Sequence, residues 1–123
     1  DAGNDFITGG AGADNMAGGA GIDTFIYNAV SDSTTLATDL IYGFETGVDK
    51  IKLSAIDADT TYTGNQAFHM KDPAYIFASP GDLVIERSGW DSYIRADVNG
   101  DSVWDLQIRV VMNGTISASD IVF

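Results

Sequence analysis

The sequence predicts an all-β chain, a parallel β-roll (β-helix) of nonapeptide repeats capped by an antiparallel β-sandwich. Three observations predict it. Asp5, Asp14, Asp23 and Asp32 recur at a constant interval of nine, and Ile7, Met16 and Phe25 stand two places after the first three. The stretch GGAGADNMAGGAGIDTF, residues 9–25, spends six of its seventeen positions on glycine, which neither a packed helix nor an ordinary strand tolerates. From Asp39 onward, short alternating apolar runs separated by turn signals replace the repeat, with no long amphipathic helix among them.

The repeat reads G-G-x-G-x-D-x-U-x, with U apolar, complete at Gly9 to Ala17 and at Gly18 to Ile26. A truncated copy, Asp1 to Thr8, precedes them and keeps Gly3, Asp5 and Ile7. Its last three residues make a minimal strand with U inward. Its first six make a turn whose carbonyls and carboxylate converge. Each nonapeptide is therefore half a coil, and repeat n stacks on repeat n+2 at about 4.8 Å, the ordinary strand spacing. That places Asp5 over Asp23 on one edge and Asp14 over Asp32 on the other. Carboxylates about 5 Å apart repel by about 3 kcal/mol at an effective dielectric near 20, so a cation between them converts a cost into a bond between coils. Hard carboxylate and carbonyl oxygens suit Ca²⁺ far better than Zn²⁺ or Mg²⁺.

The pattern resembles the calcium-binding β-helix repeat of RTX proteins. On this reading Asp5 and Asp23, with the turns of Gly3, Gly18, Gly19 and Gly21, hold one ion. Asp14 and Asp32, with the turn of Gly9, Gly10 and Gly12 and with Asp39, hold another. The fourth turn is degenerate, with Asn28 and Val30 where glycines are expected.

Composition bounds the partners. Eighteen acidic against six basic residues give a formal charge of −12, which makes nucleic acid and anionic lipid poor partners. No stretch is apolar enough to insert into a membrane. Cysteine is absent, so any stapling must come from metal. The chain begins inside a repeat without a signal peptide, and it is expected to be the C-terminal piece of something longer, with an upstream domain of the same polypeptide as partner.

Residues 1–40 are read as the end of the roll and 41–123 as the cap. NAVSDSTTLATD, residues 28–39, reads as a loop leaving the roll. Strands are expected in DLIYGF (39–44), DKIKL (49–53), AYIF (74–77), DLVIER (82–87), SYIRADV (92–98), VWDLQIRVVM (103–112) and DIVF (120–123). Turns fall at Glu45-Thr46-Gly47, Pro80-Gly81-Asp82, Asn99-Gly100-Asp101 and Asn113-Gly114, with a hairpin across Asn99-Gly100. Short helical turns fit near Ser54–Ala58 and Ser117–Ser119.

The run GGAGIDTFIY…SDSTTLATDLIYGFETGVDKIKLSAID…NQAF…PGDLVIE…ADVNGDSVWDLQIRV…ISASDIVF resembles, over essentially the whole chain, the C-terminal domain of serralysin-type (peptidase M10) secreted metalloproteases, which other RTX exoproteins share. DLIYGFETGVDKIKLS looks like that family's link from roll to cap. The resemblance implies calcium-dependent folding outside a Gram-negative cell, after export by a type I secretion apparatus whose ABC transporter reads an uncleaved C-terminal signal. Asp120-Ile121-Val122-Phe123 is similar to the family's C-terminal end, and those residues also fit a plain last strand.

Catalysis is not expected of this chain. Serralysin chemistry needs an H-E-x-x-H zinc helix, whereas the one histidine, His69, sits in AFHM and reads as a surface residue. No G-x-S-x-G elbow is present. DVNGDSVWD, residues 97–105, puts Asp97, Asn99, Asp101 and Asp105 at positions 1, 3, 5 and 9 of a calcium loop, with the Val103 carbonyl at 7. Ser102 stands where such a loop has glycine and Ile108 where it has a bidentate Glu, so turn chemistry in a plain hairpin fits the same residues.

A glycan-binding or adhesive module is the rival function, because the repeat region also resembles RTX modules of alginate epimerases. Tyr42, Phe44, Phe68, Tyr75, Phe77, Trp90, Tyr93 and Trp104 are its candidate surface, though alternating aromatics ordinarily build core. An anionic sugar would be repelled unless Arg87, Arg95 and Arg109 cluster.

Overall fold

In the computed structural model, described here for residues 2–72, 79–112 and 114–123, ten strands run in chain order. They are β1 (Phe6–Ile7), β2 (Asn15–Met16), β3 (Thr24–Ile26), β4 (Asp39–Tyr42), β5 (Lys50–Lys52), β6 (His69–Lys71), β7 (Asp82–Ser88), β8 (Asp91–Ala96), β9 (Leu106–Val111) and β10 (Ile121–Val122). Among the described residues there is no α-helix, only 3-10 turns at Val30–Asp32 and Ala118–Asp120. The strand expected at 74–77, with Tyr75 and Phe77, and Asn113 of the last turn lie outside the described residues.

The strands alternate between two facing sheets because each nonapeptide turns the chain through half a coil. One sheet, ordered β1-β3-β5-β10, is wholly parallel. The other is ordered β2-β4-β9-β8-β7-β6; it is parallel from β2 through β4 to β9, antiparallel through β8 and β7, and parallel again at β6. The all-β roll with an antiparallel section is therefore as the sequence predicts. Both sheets run on from the repeats into the later strands without interruption.

Register follows the repeat, then departs from it. Phe6 pairs with Thr24 and Ile7 with Phe25, a separation of two nonapeptides. Beyond Tyr27 the interval lengthens: Asn15 pairs with Leu40 and Thr24 with Lys50. The extra residues form the 28–38 loop, closed by the turn at Val30–Asp32, and the turn at 45–49. The β8–β9 hairpin forms, but its strands part at the Ala96–Leu106 pair, so residues 97–105 make a nine-residue loop and not a two-residue Asn-Gly turn. The bend near Ser54–Ala58 is a turn closed by the Ile56 amide on the Leu53 carbonyl at 2.9 Å. The alternating pattern did not mark β6, whose His69 is exposed on the far edge of the six-stranded sheet.

Inward-facing residues form rows across the strands. Ile7, Phe25, Ile51 and Ile121 share one row, and Met16, Ile41 and Val110 face them from the other sheet. Phe25 packs against Phe44 at 6.1 Å between ring centroids. The core continues through Leu53, Leu83, Ile94, Leu106 and Ile108 under the antiparallel strands. Because Ile51 is fully buried on β5, between the repeat-encoded β3 and β10, Ile51→Ala should cost about 2–5 kcal/mol. Urea unfolding of the variant checks this, and a loss under half of that range would mean that the row is not packed as described.

Candidate functional site

Asp5, Asp14 and Asp23 lie on the two edges of the roll, each just ahead of a strand and on the same side as the apolar residue two places on. On the first edge aspartates form a three-rung ladder. Asp23 Oδ1 accepts the Asp5 amide at 3.0 Å, and Asp49 Oδ1 accepts the Asp23 amide at 3.0 Å. Asp49 Oδ2 accepts the Glu45 amide at 2.8 Å, which closes the ladder at its far end. The second edge repeats the motif once: Asp39 Oδ1 accepts the Asp14 amide at 2.8 Å. Asp23, Asp39 and Asp49 are all buried.

The stacking of Asp5 on Asp23 is therefore as the nonapeptide phase predicts, whereas the partner of Asp14 is Asp39 and not Asp32. Asp32 instead turns back on its own loop, where Oδ2 accepts the amides of Asn28 at 2.9 Å and Ala29 at 3.2 Å. The cause is the missing glycines of the fourth turn. Without them the chain folds into a 3-10 turn, and the coil resumes seven residues later at Asp39. Ser33 anchors the restart, its hydroxyl donating to the Gln107 carbonyl and accepting the Asp39 amide. Asp49 was missed because it lies outside any nonapeptide. The signal that reveals it is an aspartate followed two places on by a core residue, Asp49 before Ile51, the same spacing as within the repeat.

The glycines divide between two tasks. A Cβ on Gly18 would lie 1.9 Å from Asp23 Oδ2, and one on Gly9 would lie 2.7 Å from Asp14 Oδ2, so the first glycine of each repeat leaves room for that repeat's own carboxylate. Gly21, at φ +136°, lies against the next coil, and a Cβ there would meet the Gly3 carbonyl oxygen at 2.0 Å. Gly3, Gly10, Gly12 and Gly19 take left-handed φ in the same turns. The Gly3 amide donates to the Ala20 carbonyl at 2.8 Å, which seats one turn on the next.

Asp49 uses both of its oxygens in these bonds, whereas three other stacked carboxylates keep one buried oxygen over. Asp14 Oδ2, Asp23 Oδ2 and Asp39 Oδ2 are buried without a hydrogen-bond partner. An uncompensated buried carboxylate is costly, and burial pushes the Asp39 carboxyl above its ordinary range despite the opposing bond from the Asp14 amide, with the charges of Asp14 and Asp32 adding to the rise. The Tyr27 hydroxyl is buried in the same region, close enough to Asp39 to couple with its carboxylate. Its own pKa is driven up first by burial and then by that carboxylate.

These leftover oxygens fit a hard divalent cation. The donors are carboxylate and main-chain oxygens, cysteine is absent, and His69 is on the opposite edge of its sheet. Among the described residues no three His, Cys, Asp or Glu side chains converge as a cage, so main-chain carbonyls of the glycine turns must complete any such site.

The 97–105 loop is different in kind. Asp97 accepts the amides of Asn99, Gly100 and Ser102, and Asp105 accepts the Val98 amide and the Asn99 side-chain amide. Asn99 Oδ1 and Asp101 Oδ1 each accept the amide two residues on. The loop thus satisfies its own carboxylates. Ser102, at φ +66°, is the one non-glycine residue in the left-handed region among those described, and it stands at the glycine position of a calcium loop.

Among the described residues the candidate aromatics are divided between core and surface. Phe44 and Phe68 are core, and Trp90 is exposed at the β7–β8 turn. Arg95 and Arg109 share the outer face of the six-stranded sheet with Tyr93, but Arg95 pairs with Glu86 at 2.7 Å and Arg109 with Asp91 at 2.8 Å. Arg87 is on the opposite face, bonded to Thr115.

Known proteins show the same architecture. The family model "Peptidase M10 serralysin C terminal" matches residues 3–123. Serralysin A of Dickeya chrysanthemi is 38% identical over 95 residues, covering 72% of this chain and 17% of that protein. Serralysin C of the same organism is 41% identical over 69 residues, covering 56% of this chain and 12% of that protein. The chain thus spans less than a fifth of the curated relatives that it matches. Among solved structures, the AlgE6R2 subunit of the Azotobacter vinelandii mannuronan C5-epimerase matches with a TM-score of 0.64 and 25% identity, over 96% of this chain and 70% of that one. The AlgE6R3 subunit matches with a TM-score of 0.61 and 26% identity, over 98% and 63%. Since the family model takes in everything from Gly3 to the last residue, the chain belongs to the serralysin C-terminal family of peptidase M10.

Proposed function

We propose that this chain is a non-catalytic calcium-binding RTX module that folds on meeting extracellular Ca²⁺ and directs type I secretion of a larger exoprotein, such as a serralysin-like protease. One observation carries the calcium reading: the buried, unpaired Oδ2 atoms of Asp14, Asp23 and Asp39 on the coil edges, with Gly9 and Gly18 leaving room for the carboxylates of Asp14 and Asp23. Asp5 and Asp23 with the turns of Gly3, Gly19 and Gly21 would hold one ion, and Asp14 and Asp39 with the turn of Gly10 and Gly12 another. A bound cation supplies two positive charges and open coordination positions for carbonyl oxygen.

The chain's own residues do the rest. The aspartate Oδ1 atoms set coil register by binding the next amide, and the glycines admit the carboxylates. The charge distribution favours an unfolded chain where calcium is scarce: all eight side chains charged at neutral pH in residues 1–49 are acidic, and all six Lys and Arg residues follow. A chain held open by its own carboxylates, without disulfides, suits an exporter that passes unfolded polypeptide.

Circular dichroism and calorimetry test the calcium reading. Binding to the folded state alone should add about 4 kcal/mol of stability at a thousandfold excess over Kd, with loss of strand signal in EGTA. Identical spectra and melting temperatures with and without Ca²⁺ would remove the reading.

Asp39→Asn should act in opposite directions in the two states. A raised folded pKa means that charged Asp39 destabilises the ion-free fold at neutral pH, a penalty relieved as pH falls through the folded pKa toward the ordinary 3.8. Without calcium the variant should therefore melt higher than wild type, by the equivalent of about 1–3 kcal/mol, and the gap should close on acidification. With calcium, calorimetry should count one weakened or missing ion. Equal ion counts and affinities in the two proteins would exclude Asp39 from the site.

Secretion is tested by fusing residues 1–123 to the C-terminus of a slow-folding passenger in cells with a type I exporter. The fusion should reach the medium. Its retention, while a known type I substrate leaves the same cells, would reduce the chain to a folding cap.

A further inference from the structure

The C-terminal strand, two residues long like β1 in the same four-stranded sheet, is fastened by side chains as well as by its backbone. β10 contributes the Ile121–Ile51 and Val122–Lys52 pairs, and the Leu53 amide donates to the Val122 carbonyl at 2.9 Å. Two residues at a sheet edge are poorly held by backbone bonds alone. The rest is done by Asp120, which is fully buried. Its Oδ1 accepts the Gly47 amide at 2.7 Å, and its Oδ2 accepts the Thr46 hydroxyl, the Ser117 amide at 2.9 Å and the Ser117 hydroxyl at 3.2 Å. Lys50 Nζ adds a bond to the Ser119 carbonyl at 2.8 Å, and Phe123 packs against the core.

The Asp120 partners Thr46 and Gly47 belong to the turn that terminates the aspartate ladder. Within Glu45 to Asp49, the Glu45 amide is held by Asp49 Oδ2, while Asp49 Oδ1 holds Asp23. The Asp49 and Val48 amides return to the Glu45 carbonyl at 2.8 and 3.0 Å. One five-residue turn is thus gripped from the roll by Asp49 and from the C-terminus by Asp120. Mutual repulsion of Asp23 and Asp49 acts on the first grip directly, and the second depends on the turn keeping its shape.

We propose that the Glu45–Asp49 turn couples cation occupancy of the Asp5–Asp23–Asp49 ladder to docking of the C-terminal strand, so that the apolar C-terminus is free before the roll is loaded and withdrawn afterwards. The inference rests on the calcium reading above and adds a regulated state to the same module. Its physical content is a two-position element that both sites bias. Neutralising the ladder favours the formed turn, and the formed turn presents Gly47 N–H and Thr46 Oγ1 to Asp120. The C-terminal residues would then be open to any partner that reads an extended chain end, the exporter among them, only while the ladder lacks its ions.

A serine carboxypeptidase, whose activity does not depend on metal, tests this through the release of Phe123, Val122 and Ile121 by the 123-residue chain. Circular dichroism on the same samples follows the roll. In wild type, Ca²⁺ should slow trimming by about tenfold relative to EGTA, the scale expected for regaining hydrogen bonds to a charged acceptor. Asp120→Asn should keep the calcium-induced change in circular dichroism yet be trimmed in Ca²⁺ as fast as wild type in EGTA. Thr46→Val, which removes one hydroxyl, should fall between, and it decides the matter if Asp120→Asn gains no structure with calcium. If calcium folds the wild-type roll while trimming stays constant, or if the latch variants are as protected as wild type, the coupling is wrong and the calcium reading stands. If neither signal responds to calcium, both fall.

Discussion

The bond on which the rest of the structure depends is the one from an aspartate carboxylate to the backbone amide of the aspartate one coil earlier. It occurs at Asp23 to Asp5, Asp49 to Asp23 and Asp39 to Asp14. It sets the register of the parallel strands, because Thr24 can face Phe6, and Lys50 can face Thr24, only where those carboxylates meet those amides. It also concentrates negative charge in a buried column and leaves an oxygen of Asp14, Asp23 and Asp39 unsatisfied. A contact that specifies the stacking thus makes the ion-free stack electrostatically unfavourable.

Those opposing effects are separated along the chain. The repeats bury few large side chains: Met16 and Phe25 are core, whereas Phe6 and Ile22 are exposed. The antiparallel strands carry the dense apolar packing of Leu83, Ile85, Ile94, Leu106 and Ile108 and most of the compensating ion pairs, such as Arg95 with Glu86 and Arg109 with Asp91. The later strands supply hydrophobic stability, whereas the repeats gather carboxylates along the coil edges. Both sheets run continuously from one part to the other, and the repeat strands β2 and β3 pair in parallel with β4 and β5.

Asp39 and Asp120 show how one side chain serves opposite ends when its surroundings differ. Burial raises the Asp39 carboxyl, because one amide bond does not offset desolvation beside Asp14 and Asp32. Burial pushes Asp120 upward too, but the bonds from Ser117, Thr46 and Gly47 outweigh it, and its pKa is lowered. Asp120 therefore stabilises the fold above the ordinary carboxylate range, and that contribution is lost as pH falls through its depressed folded pKa. Asp39 opposes the ion-free fold over the range in which Asp120 supports it. A carboxylate with a full set of donors behaves as a structural clasp, and one with a single donor is open to a cation.

By itself the sequence determined the all-β class, the half-coil geometry, the stacking of Asp5 on Asp23 and most of the later strands, because these depend on local periodicity. A nine-residue repeat with U two places after Asp has one way to alternate turn and strand, and glycine at its first position leaves no side chain to contest the space of the carboxylate. Tertiary structure decided what happens where periodicity ends. Asp32 has the right spacing but lacks the glycines that would hold it in the stack, so it caps its own loop and Asp39 takes the place. Asp49 has no repeat around it, yet the pairing of β3 with β5 brings it under Asp23. The joining of the C-terminal strand to the Glu45–Asp49 turn links residues more than seventy positions apart, and no local pattern encodes it. It exists only because β10 adds to the sheet beside β5, where Asp120 finds the amide and the hydroxyl of a turn formed for another purpose.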